Sequence, residues 1–120
     1  MFNFLYHSLI RTFEHLGMTK EFTISSEIAI DHSLKSQDKV LAFCEALGAN
    51  TYVNSIGGRD LYSPDEFRKR GIDLEFLHSR PLVYPQSGVV FIPDLSIIDV
   101  MMFNPLAIVR DWIANNYEWV

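Results

Sequence analysis

The feature that most constrains the fold of this chain is a strand, a tightly punctuated helix and a second strand packed into residues 51–77. Thr51-Tyr52-Val53-Asn54 is rich in β-favouring side chains and runs into a Gly57-Gly58-Arg59-Asp60 loop. Ser63-Pro64-Asp65-Glu66 follows, with Ser at the N-cap, Pro at the first helical position, Glu at the capping-box position and Tyr62 placed to staple onto Phe67. That helix must stop by Gly71, after which residues 72–77 alternate as a strand does. Strands joined by a helix favour a parallel pairing with a right-handed crossover, so their carboxyl ends share one edge of a sheet.

The flanking segments extend this pattern. Phe22 and Ile24 share a face in residues 21–25, which are expected to form a further, parallel strand, and Ser36 is expected to cap a helix with an apolar stripe of Val40, Leu41, Cys44 and Leu47 closed by Gly48. Ahead of it, Phe2, Leu5, Leu9, Phe13 and Leu16 recur at helical spacing up to Gly17. Phe4, Tyr6 and Ile10 spread round the other side, so something is expected to cover that helix. Beyond the turn-rich Arg80-Pro81 and Tyr84-Pro85-Gln86-Ser87-Gly88, residues 89–92 form a short extended stretch in this scheme. Ser96 and Asp99 have capping-box spacing, and Asn104-Pro105 caps and starts a last helix. The expectation is a single α/β domain over residues 1–120, small and three-layer-like, with a short, mainly parallel sheet flanked by helices.

Bulk properties narrow the function. With 48 % apolar and 21 % charged residues, no segment is polar enough to stay unfolded. A net charge of -5 argues against nucleic acid, and the basic run Arg68-Lys69-Arg70 ends a helix, where cations offset its dipole. No uncharged run approaches the roughly 20 residues needed to span a bilayer. The one cysteine, Cys44, cannot form an internal disulfide and sits in an apolar stripe, which fits a core residue in a cytoplasmic protein. His7 and His15 find no carboxylate or cysteine spacing to complete a metal set, so neither a metal nor a cofactor is expected.

Ligands of open parallel sheets bind outside the carboxyl ends of the strands. This rule selects Ser25, Ser26 and Glu27, then Ser55 through the glycine loop, then His78, Ser79 and Arg80. The second set has what an anion or sugar site needs: Gly57 and Gly58 for backbone approach, Arg59 as a bidentate fork, and Asp60 to orient it or accept hydroxyl protons. The glycines can equally serve only the turn. It is neither a P-loop nor a dinucleotide fingerprint. Glu27 and His78, with Asp60, are the candidate acid–base groups. Ser96 and Asp99 lack a placed histidine for a catalytic reading.

The runs Leu47-Gly48-Ala49-Asn50-Thr51-Tyr52, Gly57-Gly58-Arg59-Asp60, Gly71-Ile72-Asp73-Leu74-Glu75-Phe76, Tyr84-Pro85-Gln86 and Phe91-Ile92-Pro93-Asp94-Leu95-Ser96-Ile97-Ile98-Asp99 resemble the WbqC-like family of bacterial proteins in motif and order. The resemblance spans about residues 25–104 and is taken as the C-terminal portion of a typical member. It implies group transfer or sugar modification in surface-polysaccharide (O-antigen) synthesis. It adds Tyr84 and Gln86 to Ser55, Gly57, Gly58 and Arg59 as ligand-binding candidates for a sugar nucleotide or other anionic small molecule. Typical members begin with a segment rich in Gln, Pro, Tyr and Trp, which does not precede Phe2 here; that segment or a second copy is the expected cover for the first helix. The alternative is a non-catalytic binding or assembly module that docks through its apolar terminal helices, with Trp112 and Trp119 as anchors.

Overall fold

A computed structural model describes residues 1–88 and 90–120 of the chain. In chain order the elements are α1 (Phe2–His15), a 3-10 turn (Ser25–Glu27), α2 (Ser36–Ala46), β1 (Thr51–Ser55), a 3-10 helix (Ile56–Leu61), α3 (Pro64–Lys69), β2 (Asp73–Ser79), α4 (Ile97–Phe103), α5 (Leu106–Asn115) and β3 (Tyr117–Trp119). The chain divides into two compact units, Met1–Glu21 with Arg80–Tyr117 and Phe22–Ser79 with Glu118–Val120.

The unit built around Phe22–Ser79 holds the expected β–helix–β crossover. β1 and β2 are parallel, with Thr51 opposite Asp73 and Ser55 opposite Leu77, in a sheet ordered β1-β2-β3. Its core is Leu41, Cys44, Phe67 and Ile72, packed by Val40, Ala49, Tyr52, Tyr62 and Leu74. Side-chain alternation turns Tyr52 and Leu74 to this core and leaves Thr51, Val53 and Ser55 exposed. The staple forms: Tyr62 meets Phe67 edge-on at 5.6–5.9 Å together with Tyr52, and Phe67 is wholly buried. Ser63 stands at the N-cap and Pro64 inside the first turn, but no side chain caps this helix; the Ser63 amide donates to Gln37 Oε1 and Glu66 pairs with Lys69 instead. At the other end Gly71 has φ +71°, and its amide and that of Ile72 donate to the Arg68 and Phe67 carbonyls in a Schellman closure.

Three expectations are corrected in this unit. Residues 21–25 form no strand; Phe22 and Ile24 are half-buried, but the segment is not part of the β1-β2-β3 sheet and passes into the Ser25–Glu27 turn. The third strand is instead β3, whose neighbour Val120 exchanges amide and carbonyl bonds with Phe76. That reciprocal exchange marks an antiparallel pair, so the sheet is mixed rather than wholly parallel. Ser36 is the first residue of α2 and not its cap; Lys35 holds the cap position without a side-chain bond, and Ser36 has φ +49°.

In the unit built from α1, α4 and α5, Leu16, Tyr84 and Val109 are buried. α1 ends as expected: Gly17, at φ +65°, and Met18 donate to the Glu14 and Phe13 carbonyls. Arg110 from α5 lies over this terminus and its Nε donates to the Leu16 carbonyl at 2.6 Å. α1 itself buries no residue, and Phe2, Phe4, Leu5 and Leu9 are exposed. Ser96 caps α4 as expected, its Oγ accepting from the Ile98 amide. Asn104 closes α4 by bonding the Val100 carbonyl, and Pro105 takes the cap of α5, one position later than the sequence pattern implies. The expected extended stretch begins at Val89, which lies outside the described residues, and residues 90–92 form no strand.

Candidate functional site

Parallel pairing brings the carboxyl ends of β1 and β2 to one edge, and the register makes Ser55 and Leu77 neighbours there. Beyond Ser55 the chain turns through the 3-10 helix that contains Gly57, Gly58, Arg59 and Asp60; beyond Leu77 comes His78. Ser55, the glycine loop and His78 therefore share the strand-end edge that the sequence predicts.

Within the loop the two glycines differ. A side chain at Gly57 would meet nothing within 4 Å, so this backbone is open to approach. Gly58 is buried, and a Cβ there would lie 2.7 Å from Asn54 Nδ2. The Asn54 amide thus occupies the space a side chain at 58 would need, while its Oδ1 accepts the Ser55 amide at 2.7 Å. Asn54 was legible only as a strand end; its even-numbered position beside Tyr52, which turns it to the covered face, was the available signal.

Arg59 and Asp60 are both exposed. Neither makes an ion pair or side-chain hydrogen bond with a described residue, so Asp60 does not orient the Arg59 guanidinium. The neighbouring basic run behaves differently. Arg68 pairs with Asp65, Lys69 with Glu66 and Arg70 with Glu45, at 2.6–3.0 Å. The hydrogen bond from Lys69 to Glu66, reinforced by the carboxylate charge, raises the ammonium above its ordinary range.

His78 has a partner that sequence spacing could not reveal. Its Nδ1 lies 3.1 Å from Glu118 Oε1, contributed by β3 from 40 residues along the chain. Glu27 is exposed in its 3-10 turn and forms no hydrogen bond or ion pair with His78. Cys44 is buried in the core, and burial raises its thiol above the ordinary value, which favours the packed thiol over a nucleophile.

Tyr84 and Gln86 belong to the other unit. Tyr84 Oη donates to Asp99 Oδ2 at 2.6 Å, and its ring meets Phe91 edge-on at 5.5 Å and Trp112 at 6.4 Å. Gln86 Nε2 donates to the same Asp99 oxygen and to the Ile92 carbonyl, while Gln86 Oε1 accepts the Ile92 amide. Two of the sequence motifs are therefore one polar clamp. The bond to Asp99 raises the Tyr84 hydroxyl above its ordinary pKa, with burial adding to it.

A cleft of about 230 Å³ is lined by Pro64, Arg68, Ile72, Asp73, Leu74 and Glu75, at the opposite end of β2 from the loop. Among the described residues no three His, Cys, Asp or Glu side chains gather as a metal set, and no helix is long and apolar enough to cross a membrane. Comparison with curated proteins and with solved structures found no match. The WbqC-like protein family matches residues 1–111, a span that includes α1 as well as the loop and the Tyr84–Asp99 clamp. The chain belongs to the WbqC-like protein family.

Proposed function

We propose that this chain binds the anionic group of an activated sugar at the carboxyl edge of β1 and β2, and takes part in group transfer or sugar modification during surface-polysaccharide (O-antigen) synthesis in the cytoplasm. The observation that carries the proposal is Arg59: an exposed guanidinium just beyond a strand end, without a carboxylate partner among the described residues, in a unit whose neighbouring cations are paired. Arg59 holds a phosphate or carboxylate through its planar fork. Ser55 and the open backbone at Gly57 contact the same ligand, and Asp60 accepts a sugar hydroxyl. His78, beside Glu118, serves as the acid–base group. The sugar class comes from the family resemblance. Tyr84 and Gln86 act as the frame of their own unit, since both side chains are engaged by Asp99 and Ile92.

Calorimetric titration with UDP-glucose tests this. Loss of a bidentate charged contact in Arg59→Ala is expected to weaken binding by about tenfold or more and to abolish complementation of polysaccharide synthesis. Unchanged affinity and complementation would remove the assignment.

A second reading, a non-catalytic assembly module, is favoured by α1, whose Phe4 is 75 % exposed and Leu5 56 %. Trp119 is exposed as that reading requires, whereas Trp112 packs against Tyr84. A dimer whose mass falls to that of a monomer in Phe4→Glu/Leu5→Glu supports assembly; a monomer before substitution rejects self-assembly.

A further inference from the structure

Asn54 ends β1 on the face that also carries Tyr52, Leu74, Phe76 and, one step beyond the paired residues, His78. A strand-end asparagine commonly only closes a turn. Here one half of the amide is used that way: Oδ1 accepts the Ser55 amide at 2.7 Å. That bond also fixes which way the amide points, because the flipped orientation would set an NH₂ donor against an N–H donor.

The other half of the amide is then directed by the chain. Nδ2 lies over Gly58, at 2.7 Å from where a Cβ would stand. It makes no hydrogen bond to any described residue, and among the described residues no fully buried side-chain nitrogen or oxygen lacks a partner, so this donor is not sealed from solvent. A half-buried amide with its carbonyl held and its two N–H donors free presents donors only. It does so at the strand-end edge, against Gly58 of the loop that carries Arg59 and on the face of the neighbouring β2 that carries His78.

We infer that Asn54 is a ligand-binding residue of this site, donating from Nδ2 to an acceptor oxygen of the same phosphate or carboxylate that Arg59 binds. This rests on the anion site proposed above. Glycine at 58 leaves free the space that the Asn54 amide takes, which a side chain there would contest. The ligand is recognised by its acceptor oxygens, so an uncharged methyl glucoside is not expected to engage Nδ2.

Asn54→Asp tests this. The carboxylate keeps the acceptor for the Ser55 amide and the shape against Gly58, and replaces the outward donor with an anionic acceptor. Titration of the full chain with UDP-glucose and with inorganic phosphate is followed by calorimetry and by the Asn54 side-chain NH₂ resonances. Saturable shifts of those resonances, with a loss of tenfold or more in Asn54→Asp at unchanged melting temperature, support the inference. If Arg59→Ala loses binding while Asn54→Asp does not and the NH₂ resonances stay still, Asn54 is no ligand residue and the anion site stands. If Arg59→Ala also binds as before, or neither probe binds the unsubstituted chain, the site and Asn54's part in it both fall.

Discussion

Asp99 accepts the Tyr84 hydroxyl at 2.6 Å across 15 residues of chain, and it does so with the same oxygen that takes the Gln86 amide. The carboxylate stands three residues after the Ser96 cap, where a capping box would turn it back to the helix terminus. It serves tertiary structure instead. Asp99→Ala leaves the buried Tyr84 hydroxyl and the Gln86 amide without their shared acceptor, and Tyr84→Phe removes only the first bond. Thermal unfolding is expected to show a fall of roughly 3–6 °C for Tyr84→Phe and a larger one for Asp99→Ala, with helix content retained because Ser96 still caps α4. Equal melting temperatures for both variants and the parent would show that the clamp contributes nothing.

The tyrosines also set the response to alkali. Burial, helped by the Tyr62 hydroxyl 3.4 Å away, raises the Tyr52 pKa above its ordinary value. The hydrogen bond to Asp99 raises that of Tyr84, and burial adds to it. Both groups hold their protons in the folded chain after those of the unfolded chain ionise near about 10. Their stabilising contribution is complete below that pH and is lost as pH rises through the folded values. Absorbance titration at 295 nm is expected to show a late component from two of the five tyrosines, followed by unfolding. Tyr84→Phe removes part of the late component.

How far the sequence disclosed this structure depends on how local the signals are. Pro64 in the first turn, the Tyr62–Phe67 staple and the Gly71 closure all act within one turn of their helix, and each formed where the pattern placed it. Strand pairing is not local. Phe22 and Ile24 alternate like a strand, yet their segment forms none and runs into a 3-10 turn, while Glu118 and Val120 gain strand partners in β2 from some forty residues away. The same distinction governs the site. The glycine loop was visible as composition, but the Asn54 amide over Gly58, the His78–Glu118 contact and the use of Asp99 by Tyr84 and Gln86 arise from tertiary placement.

Gly17 and Gly48 offer a controlled comparison. Both close a helix at positive φ, +65° and +64°, but a Cβ at 48 meets nothing within 4 Å whereas one at 17 collides with the Arg110 guanidinium. Gly48→Ala carries the backbone cost alone, upwards of about 1 kcal/mol. Gly17→Ala is expected to cost more, because the Arg110 bond to the Leu16 carbonyl must also break. A double-mutant cycle with Arg110→Met checks this: the extra cost of Gly17→Ala disappears once Arg110 is gone. An excess that persists in Arg110→Met would place its origin elsewhere.

The two loop glycines make the sharpest local contrast. Neither Gly57 nor Gly58 requires a positive φ, so their difference lies in space: a methyl at 57 meets nothing, and a methyl at 58 meets the Asn54 amide at 2.7 Å. Gly57→Ala is expected to stay within about 0.5 kcal/mol of the parent in urea unfolding. Gly58→Ala must push Asn54 aside and is expected to destabilise by about 1–3 kcal/mol. Displacement of the amide also frees the Ser55 N–H from Oδ1, so its amide resonance shifts and its hydrogen exchange accelerates in Gly58→Ala but not in Gly57→Ala. A Ser55 amide unchanged in Gly58→Ala would mean that Asn54 does not hold the position from which it closes the turn.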